Sequence, residues 1–301
     1  MQQTLSTRAW AELILLALIW GGSFLSIRIA LNEIGPLTVV AHRTFWAMAI
    51  LWIWVALRRM PLPRDPRIWG AFAVMGALNN VIPFSLMAWG QLHIETGLTS
   101  ILNAATAAFG VIAAAIFFAD EHLTWRKGVG VSLGFAGVIT AIGTENLRSF
   151  DLRSLGQLAV IGGTLSYALA GVWARKRLAG LKPQIAAAGM LTGSALIMVP
   201  AAAIIEGPFD LNLAPQTYGA IAYFAIIATA FAYLLYYRVL GMAGSGNLML
   251  VTLLIPPVAI VLGSVVLKEA LPSHAYVGFA LLAVGLIVID GRLLRRRVVK
   301  I

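Results

Sequence analysis

The sequence predicts an all-α integral membrane protein, with ten transmembrane helices arranged as two inverted five-helix repeats around a central cavity and both termini cytoplasmic. Three observations carry this reading: the apolar composition, a block that occurs twice, and the distribution of Lys and Arg. Of 301 residues 60% are hydrophobic and only 11% charged. Apolar runs of about twenty residues recur from end to end, enough to cross a bilayer. They are continuously apolar rather than alternating, which fits helices and not a barrel. Cysteine is absent, so disulfides and redox compartment cannot be read.

The repeated block runs over 121–139 (EHLTWRKGVGVSLGFAGVI) and 269–287 (EALPSHAYVGFALLAVGLI). Laid over each other without a gap, the copies share Glu121/Glu269, Leu123/Leu271, Val129/Val277, Gly130/Gly278, Leu133/Leu281, Gly137/Gly285 and Ile139/Ile287. The spacing is close to half the chain, as expected of a duplicated unit. Looser matches flank it: Asn80 and Phe84 fall opposite Thr229 and Tyr233, Trp20 opposite Tyr167, and Arg28 opposite Arg175.

In chain order the spans are 10–31, 36–57, 68–89, 96–118, 125–143, 155–175, 184–205, 217–237, 246–267 and 275–292, each bounded by charges, Pro or Gly. The first has only Arg8 before it and no small-residue cleavage site, so it reads as a retained helix rather than a signal peptide. The connections are short, and 145–154 and 206–216 leave no room for a soluble domain. With the N-terminus inside, Arg8, Arg58, Arg59, Arg64, Arg67, Arg126, Lys127, Arg175, Lys176, Arg177, Lys182, Arg238 and the basic tail from Arg292 to Lys300 all fall inside. Only Arg28, Arg43, Arg148, Arg153 and Lys268 fall elsewhere. Topology therefore explains the net charge of +10, and no nucleic acid is expected as partner. Five spans per half is an odd number, so repeat 150–301 sits upside down relative to repeat 1–149, an arrangement common in secondary transporters.

Polar residues within the apolar runs mark a candidate site. Thr99, Asn103, Thr106 and Gly110 recur on one face of span four. Span eight carries Thr229, Tyr233 and Tyr236 or Tyr237, and span three carries Asn79, Asn80 and Ser85. Any single Ser or Thr can be explained by a hydrogen bond to a neighbouring helix, worth about 0.6–2 kcal/mol. Two adjacent Asn near mid-membrane need more partners than that and point to a hydrated cavity. Pro83 and Pro256 predict kinks that release carbonyls four residues back, through packing alone or toward the same cavity. Trp20, Phe84, Tyr167 and Tyr233 lie deep, as core or as an aromatic wall.

Charge within the spans is scarce. No Lys or Arg falls mid-span in spans three, four, eight or nine, which disfavours phosphorylated substrates. A zwitterionic amino acid asks less, and Arg43 either serves one of its ends or bonds helix-end carbonyls. His42 is the one group that titrates within a span, so facilitated diffusion competes with proton antiport. Glu121 and Glu269 read as caps of short turns or as contacts to nearby amides. Gly130, Gly134 and Gly137, echoed by Gly278 and Gly285, allow close helix approach or form the face of a homodimer. Paired catalytic carboxylates, nucleophile–base pairs and metal-ligand spacings are lacking, so no enzyme, cofactor or metal is expected. A receptor or assembly subunit is the competing class, but such roles do not require an inverted repeat.

Trp20-Gly21-Gly22, Arg43 and the two Glu-x-Leu blocks with their Gly-bearing helices resemble the EamA-type branch of the drug/metabolite transporter superfamily. The whole sequence is also similar to bacterial YddG-type exporters of aromatic amino acids. The resemblance implies a bacterial inner-membrane carrier whose partners are the lipid bilayer and a small exported metabolite. The cavity would be lined mainly by spans one, three, four, six, eight and nine. The candidate lining is Trp20, Arg43, Asn79, Asn80, Phe84, Asn103, Thr106, Tyr167, Thr229 and Tyr233.

Overall fold

Helix starts follow from local chemistry. The side chains of Ser6, Asp65, Thr124 and Asp151 accept hydrogen bonds from amides of the first turns they cap. Pro36, Pro66, Pro183 and Pro215 stand at first helical positions, where a missing N–H costs nothing. The computed structural model describes residues 6–143, 151–236, 238, 239, 242 and 251–290, with no strand among them.

The elements are α1 (Thr7–Ala30), α2 (Pro36–Leu57), α3 (Pro66–Gly76), π1 (Ala77–Val81), α4 (Ile82–Gly90), α5 (Thr96–Asn103), α6 (Thr106–Phe117) and α7 (Trp125–Ile142). They continue as α8 (Leu152–Arg177), α9 (Pro183–Ile205), α10 (Pro215–Ala222), π2 (Tyr223–Phe231), α11 (Val251–Val266) and α12 (Ser273–Asp290). Seven segments are long and apolar enough to cross a membrane: α1, α2, α3 through α4, α5 with α6, α8, α9, and Pro215–Tyr236. Helices α7, α11 and α12 are shorter. The expected ninth span starts at 246, outside the described residues, and its described part begins at Val251. The basic tail from Arg292 onward and Arg148 also lie outside them.

Span four departs from expectation. A continuous helix was expected to carry Thr99, Asn103, Thr106 and Gly110 on one face, but the helix is interrupted between α5 and α6. The Thr106 hydroxyl takes the Asn103 carbonyl at 2.7 Å, and the Ala107 amide turns back only to Ala104, at 3.4 Å. Thr99 is buried, with its hydroxyl on the Glu95 carbonyl at 3.1 Å.

Polar contacts between helix ends fall into two sets. One joins Glu33 to the Ala214 amide, Glu206 to the amides of Leu37 and Thr38, Glu95 to Arg153, and Glu269 to Thr96. The other joins Glu12 to Arg8 and Arg238, and Arg175 to Asp120 and Glu121, the latter also paired with Lys127. The first set holds Thr96 at the start of the α5–α6 segment and the second holds Asp120 just past its end, so these two contacts stand at opposite ends of that segment.

The helix pairs have a regularity of their own. Helix α1 packs on α11 as α8 packs on α5 and α6; α4 packs on α8 as α10 and π2 pack on α1; α3 packs on α9 as π2 packs on α2. The pairs α2–α9, α5–α11 and α7–α12 complete the frame. Exchanging each segment for the one five places on leaves these pairings unchanged, whereas the α1–α5 and α2–α4 contacts have no counterpart of similar extent among the described residues. At the α7–α12 crossing the duplicated glycines meet reciprocally. A Cβ on Gly130 would lie 2.7 Å from the Gly285 carbonyl oxygen, and one on Gly137 would lie 2.6 Å from that of Gly278. In lipid, where burial of apolar surface gives no drive, such backbone approach supplies the packing. These faces are therefore occupied within the chain, and a homodimer would have to use another surface.

Candidate functional site

The two π segments bring the deep polar residues together. Pro83 has no N–H to offer the carbonyl of Asn79, and the helix widens before it, with the Ile82 amide bonding Ala77 five residues back. In π2 the Thr229 hydroxyl takes the Phe224 carbonyl, again five back, at 2.7 Å. The expected kink at Pro83 thus takes the form of a π segment that presents Asn79 and Asn80. Pro256 and Pro257 lie inside α11, which continues through them.

Asn80 is completely buried and holds the polar network together. Its amide donates to the Ser194 hydroxyl at 2.8 Å, and its carbonyl oxygen accepts from Asn79 at 3.1 Å and from the Tyr233 hydroxyl at 3.4 Å. Asn79 also donates to Tyr233, at 3.2 Å. Ser194 donates in turn to carbonyls of Met190 and Gly76, and the Ser166 hydroxyl donates to the Leu78 carbonyl at 2.6 Å. The Leu78 carbonyl within π1 is thus satisfied by a side chain from α8, and the Gly76 carbonyl just before π1 by one from α9.

Arg43, 7% exposed on α2, joins the two π regions. Its Nε donates to the Thr229 hydroxyl at 2.8 Å, and its guanidinium lies 4.0 Å from the centroid of the Phe84 ring. Tyr167 meets Phe84 edge to face at 6.4 Å, and both Tyr167 and Tyr233 lie within electrostatic reach of Arg43. The alternative in which Arg43 bonds helix-end carbonyls is not what the structure has.

Seven expected residues therefore converge: Arg43, Asn79, Asn80, Phe84, Tyr167, Thr229 and Tyr233. The other three stand apart from this cluster. The Trp20 indole donates to the Ala228 carbonyl at 3.1 Å, one residue before Thr229, and its ring packs near Tyr236. Asn103 and Thr106 sit at the α5–α6 break, where the Asn103 side-chain oxygen is buried without a hydrogen-bond partner. Tyr167 also packs in the cluster holding Ile101, Leu102, Ala104 and Ala105, so it lies between that break and Phe84. Ser194 and Ser166 were not expected. Ser194 stands beside Gly193, where α9 approaches α3 closely, a relation that only the structure shows.

Two cavities flank this cluster without being lined by it. One, of about 190 Å³, lies at an end of the bundle among Arg28, His93, Glu95 and Glu269. The other, of about 400 Å³ and mostly apolar, lies beside α2 and α10, with His42, Trp46 and Tyr218 in its wall.

A bundle of membrane-length helices closed on a buried polar centre is the architecture of a multi-pass membrane protein. The model of the EamA-like transporter family matches the chain twice, over 9–143 and 154–290, and the chain belongs to that family. One relative, from Streptantibioticus cattleyicolor and named a probable terminal-alkyne amino-acid exporter, is 28% identical over 97% of this chain and 96% of its own length. Another, a probable amino-acid metabolite efflux pump of Escherichia coli (strain K12), is 24% identical over 96% of both chains. A chain of known crystal structure shares the fold at a TM-score of 0.68 and 18% identity, covering 97% of this chain and 99% of that one.

Proposed function

We propose that the protein is a secondary carrier of the bacterial inner membrane that exports neutral or aromatic amino acids, or closely related metabolites, by alternating access. On this reading it has ten membrane spans in two inverted halves, 1–149 and 150–301, with both termini cytoplasmic. The observation that carries it is the exchange relation among helix pairs, with a π segment in the third segment of each half. Two halves related in this way, rocking about a shared centre, expose that centre to each face in turn. The double family match and the reciprocal glycine contacts of α7 and α12 support the same arrangement. The names of the relatives support amino acids as substrates. The residues of the centre are Arg43, Asn79, Phe84, Tyr167, Thr229 and Tyr233, with Asn80 and Ser194 holding them. Trp20, Asn103 and Thr106 form its margin.

The test is efflux from liposomes containing the purified protein and loaded with a panel of amino acids, sugars and organic cations, with and without an imposed pH gradient. Saturable exit of aromatic or other neutral amino acids is expected. Exit of a sugar or organic cation alone would overturn the substrate class and leave the fold as a carrier of something else.

A further inference from the structure

We propose that Arg43 is the anion anchor of this carrier and that the site takes a monocarboxylate. The inference rests on the carrier reading and adds the charged group of the substrate.

Arg43 is a buried cation whose protein partners leave most of its donors unused. Nε is spent on Thr229, a neutral hydroxyl already committed as donor to the Phe224 carbonyl. Among the described residues Nη1 and Nη2 make no hydrogen bond, and no carboxylate pairs with the side chain. The acidic residues that might have served are engaged at the bundle ends. Glu206, at the C-cap of α9, is held by the amides of Leu37 and Thr38 at the start of α2. Glu12 is held by Arg8 and Arg238. A charge kept in a bilayer interior without a counter-ion is costly and marks a functional site.

The geometry also selects the ligand. Phe84 covers one face of the guanidinium, which leaves its planar edge for a partner. Two parallel N–H donors on that edge match the two oxygens of a carboxylate. The Tyr167 and Tyr233 phenols beside it and the Asn79 amide bonded to Tyr233 bring no second cation, so the centre offers a single positive charge. One charge suits a monoanion and would leave a phosphate monoester half-compensated. The Phe84 and Tyr167 rings then provide apolar surface for the substrate's side chain. An α-amino acid and a simple aryl-alkanoic acid share this chemistry.

The experiment is direct binding to the purified protein of L-phenylalanine, its carboxamide and 3-phenylpropionate, with Arg43→Gln and Arg43→Lys beside the wild type. The wild type is expected to bind phenylalanine about tenfold or more tighter than the carboxamide, as loss of a charge-assisted pair implies. That comparison needs no variant to fold. Arg43→Gln should lose most of the preference, and Arg43→Lys, which keeps the charge but not the fork, should fall between. Phenylpropionate binding as well as phenylalanine would identify the carboxylate alone as the recognised group, whereas weak binding would add the ammonium to it. Equal wild-type affinity for acid and carboxamide would overturn the proposal, as would unchanged phenylalanine binding by a folded Arg43→Gln. If the acid binds with the expected preference yet no flux occurs in liposomes, the anchor stands and the carrier reading fails.

Discussion

Arg43 lies 4.0 Å from the centroid of the Phe84 ring while its Nε reaches Thr229, so one buried side chain of α2 touches the segment after π1 and the interior of π2. These two widened turns occupy corresponding places in the two halves of the chain. A π turn frees backbone oxygens that an α-helix would keep to itself, and here neighbouring hydroxyls of Ser166 and Thr229 take them up. The polar centre is thus built from backbone geometry as much as from polar side chains.

Removing the acceptor of Arg43 tests this junction. Thr229→Val leaves the guanidinium Nε unsatisfied and is expected to cost about 1–3 kcal/mol, read as a lowered Tm of the purified protein. Thr229→Ser should restore most of it. Phe84→Leu removes the ring under the cation and should cost about 0.5–2 kcal/mol, with Phe84→Tyr close to wild type. Equal melting of Thr229→Val and Thr229→Ser would contradict the assigned hydrogen bond.

At the α7–α12 crossing, space is the test. A side chain at Gly137 meets the Gly278 backbone at 2.6 Å, so Gly137→Val should cost about 1–3 kcal/mol through overpacking. On the same helix Gly128 has nothing within 4 Å of an added Cβ, and Gly128→Ala should be neutral or slightly stabilising. Similar thermal stability for the two variants would show that the crossing is looser than described.

Glu269 accepts from the amide and the hydroxyl of Thr96, at 2.9 Å each, and so caps α5 from the other half of the chain. Glu269→Ala removes both bonds and should destabilise by about 1–3 kcal/mol. Glu269→Gln keeps an acceptor and should retain part of that. Thermal melting of the three proteins ranks them, and indistinguishable values would remove Glu269 from the cap.

Acid should act at the opposite end. The Asp120 carboxyl is held below its ordinary value of 3.8 chiefly by the hydrogen bond from Arg175. A lowered folded-state value means that the contribution is fully present above 3.8 and is lost as pH falls through the lower folded value. The pair is exposed, so the effect is small and weakens with salt. Melting of wild type and Asp120→Asn should differ by a constant amount near neutrality and converge in strong acid. A gap that widens in acid would reverse the sign.

Much of the fold was legible because apolar runs and the Glu-x-Leu blocks each act through rules that need only sequence. Lipid demands long continuous apolar segments, and the Gly130/Gly278 and Gly137/Gly285 matches announced a crossing that the structure places within the chain. The site was legible in part. Arg43, Asn79, Asn80, Thr229 and Tyr233 stood out because polar groups in apolar helices need partners, and they found one another. The break after Asn103 was not legible, since it turns on a Thr106 hydroxyl competing for one carbonyl in a run that otherwise reads as helix. Nor was the π segment Tyr223–Phe231, which contains no proline to announce it. Ser194 was hidden for a related reason: its partners lie on α3 and π1, more than a hundred residues away.

Alternating access at the polar centre is the central claim, and the absence of native cysteines makes a direct test clean. The measurement is labelling of an Asn79→Cys variant with a membrane-impermeant thiol reagent applied from either face of oriented vesicles, with and without saturating substrate. Reaction is expected from both faces, with substrate changing the two rates in opposite directions. Labelling from one face only, under all conditions and in a protein that still transports, would contradict it.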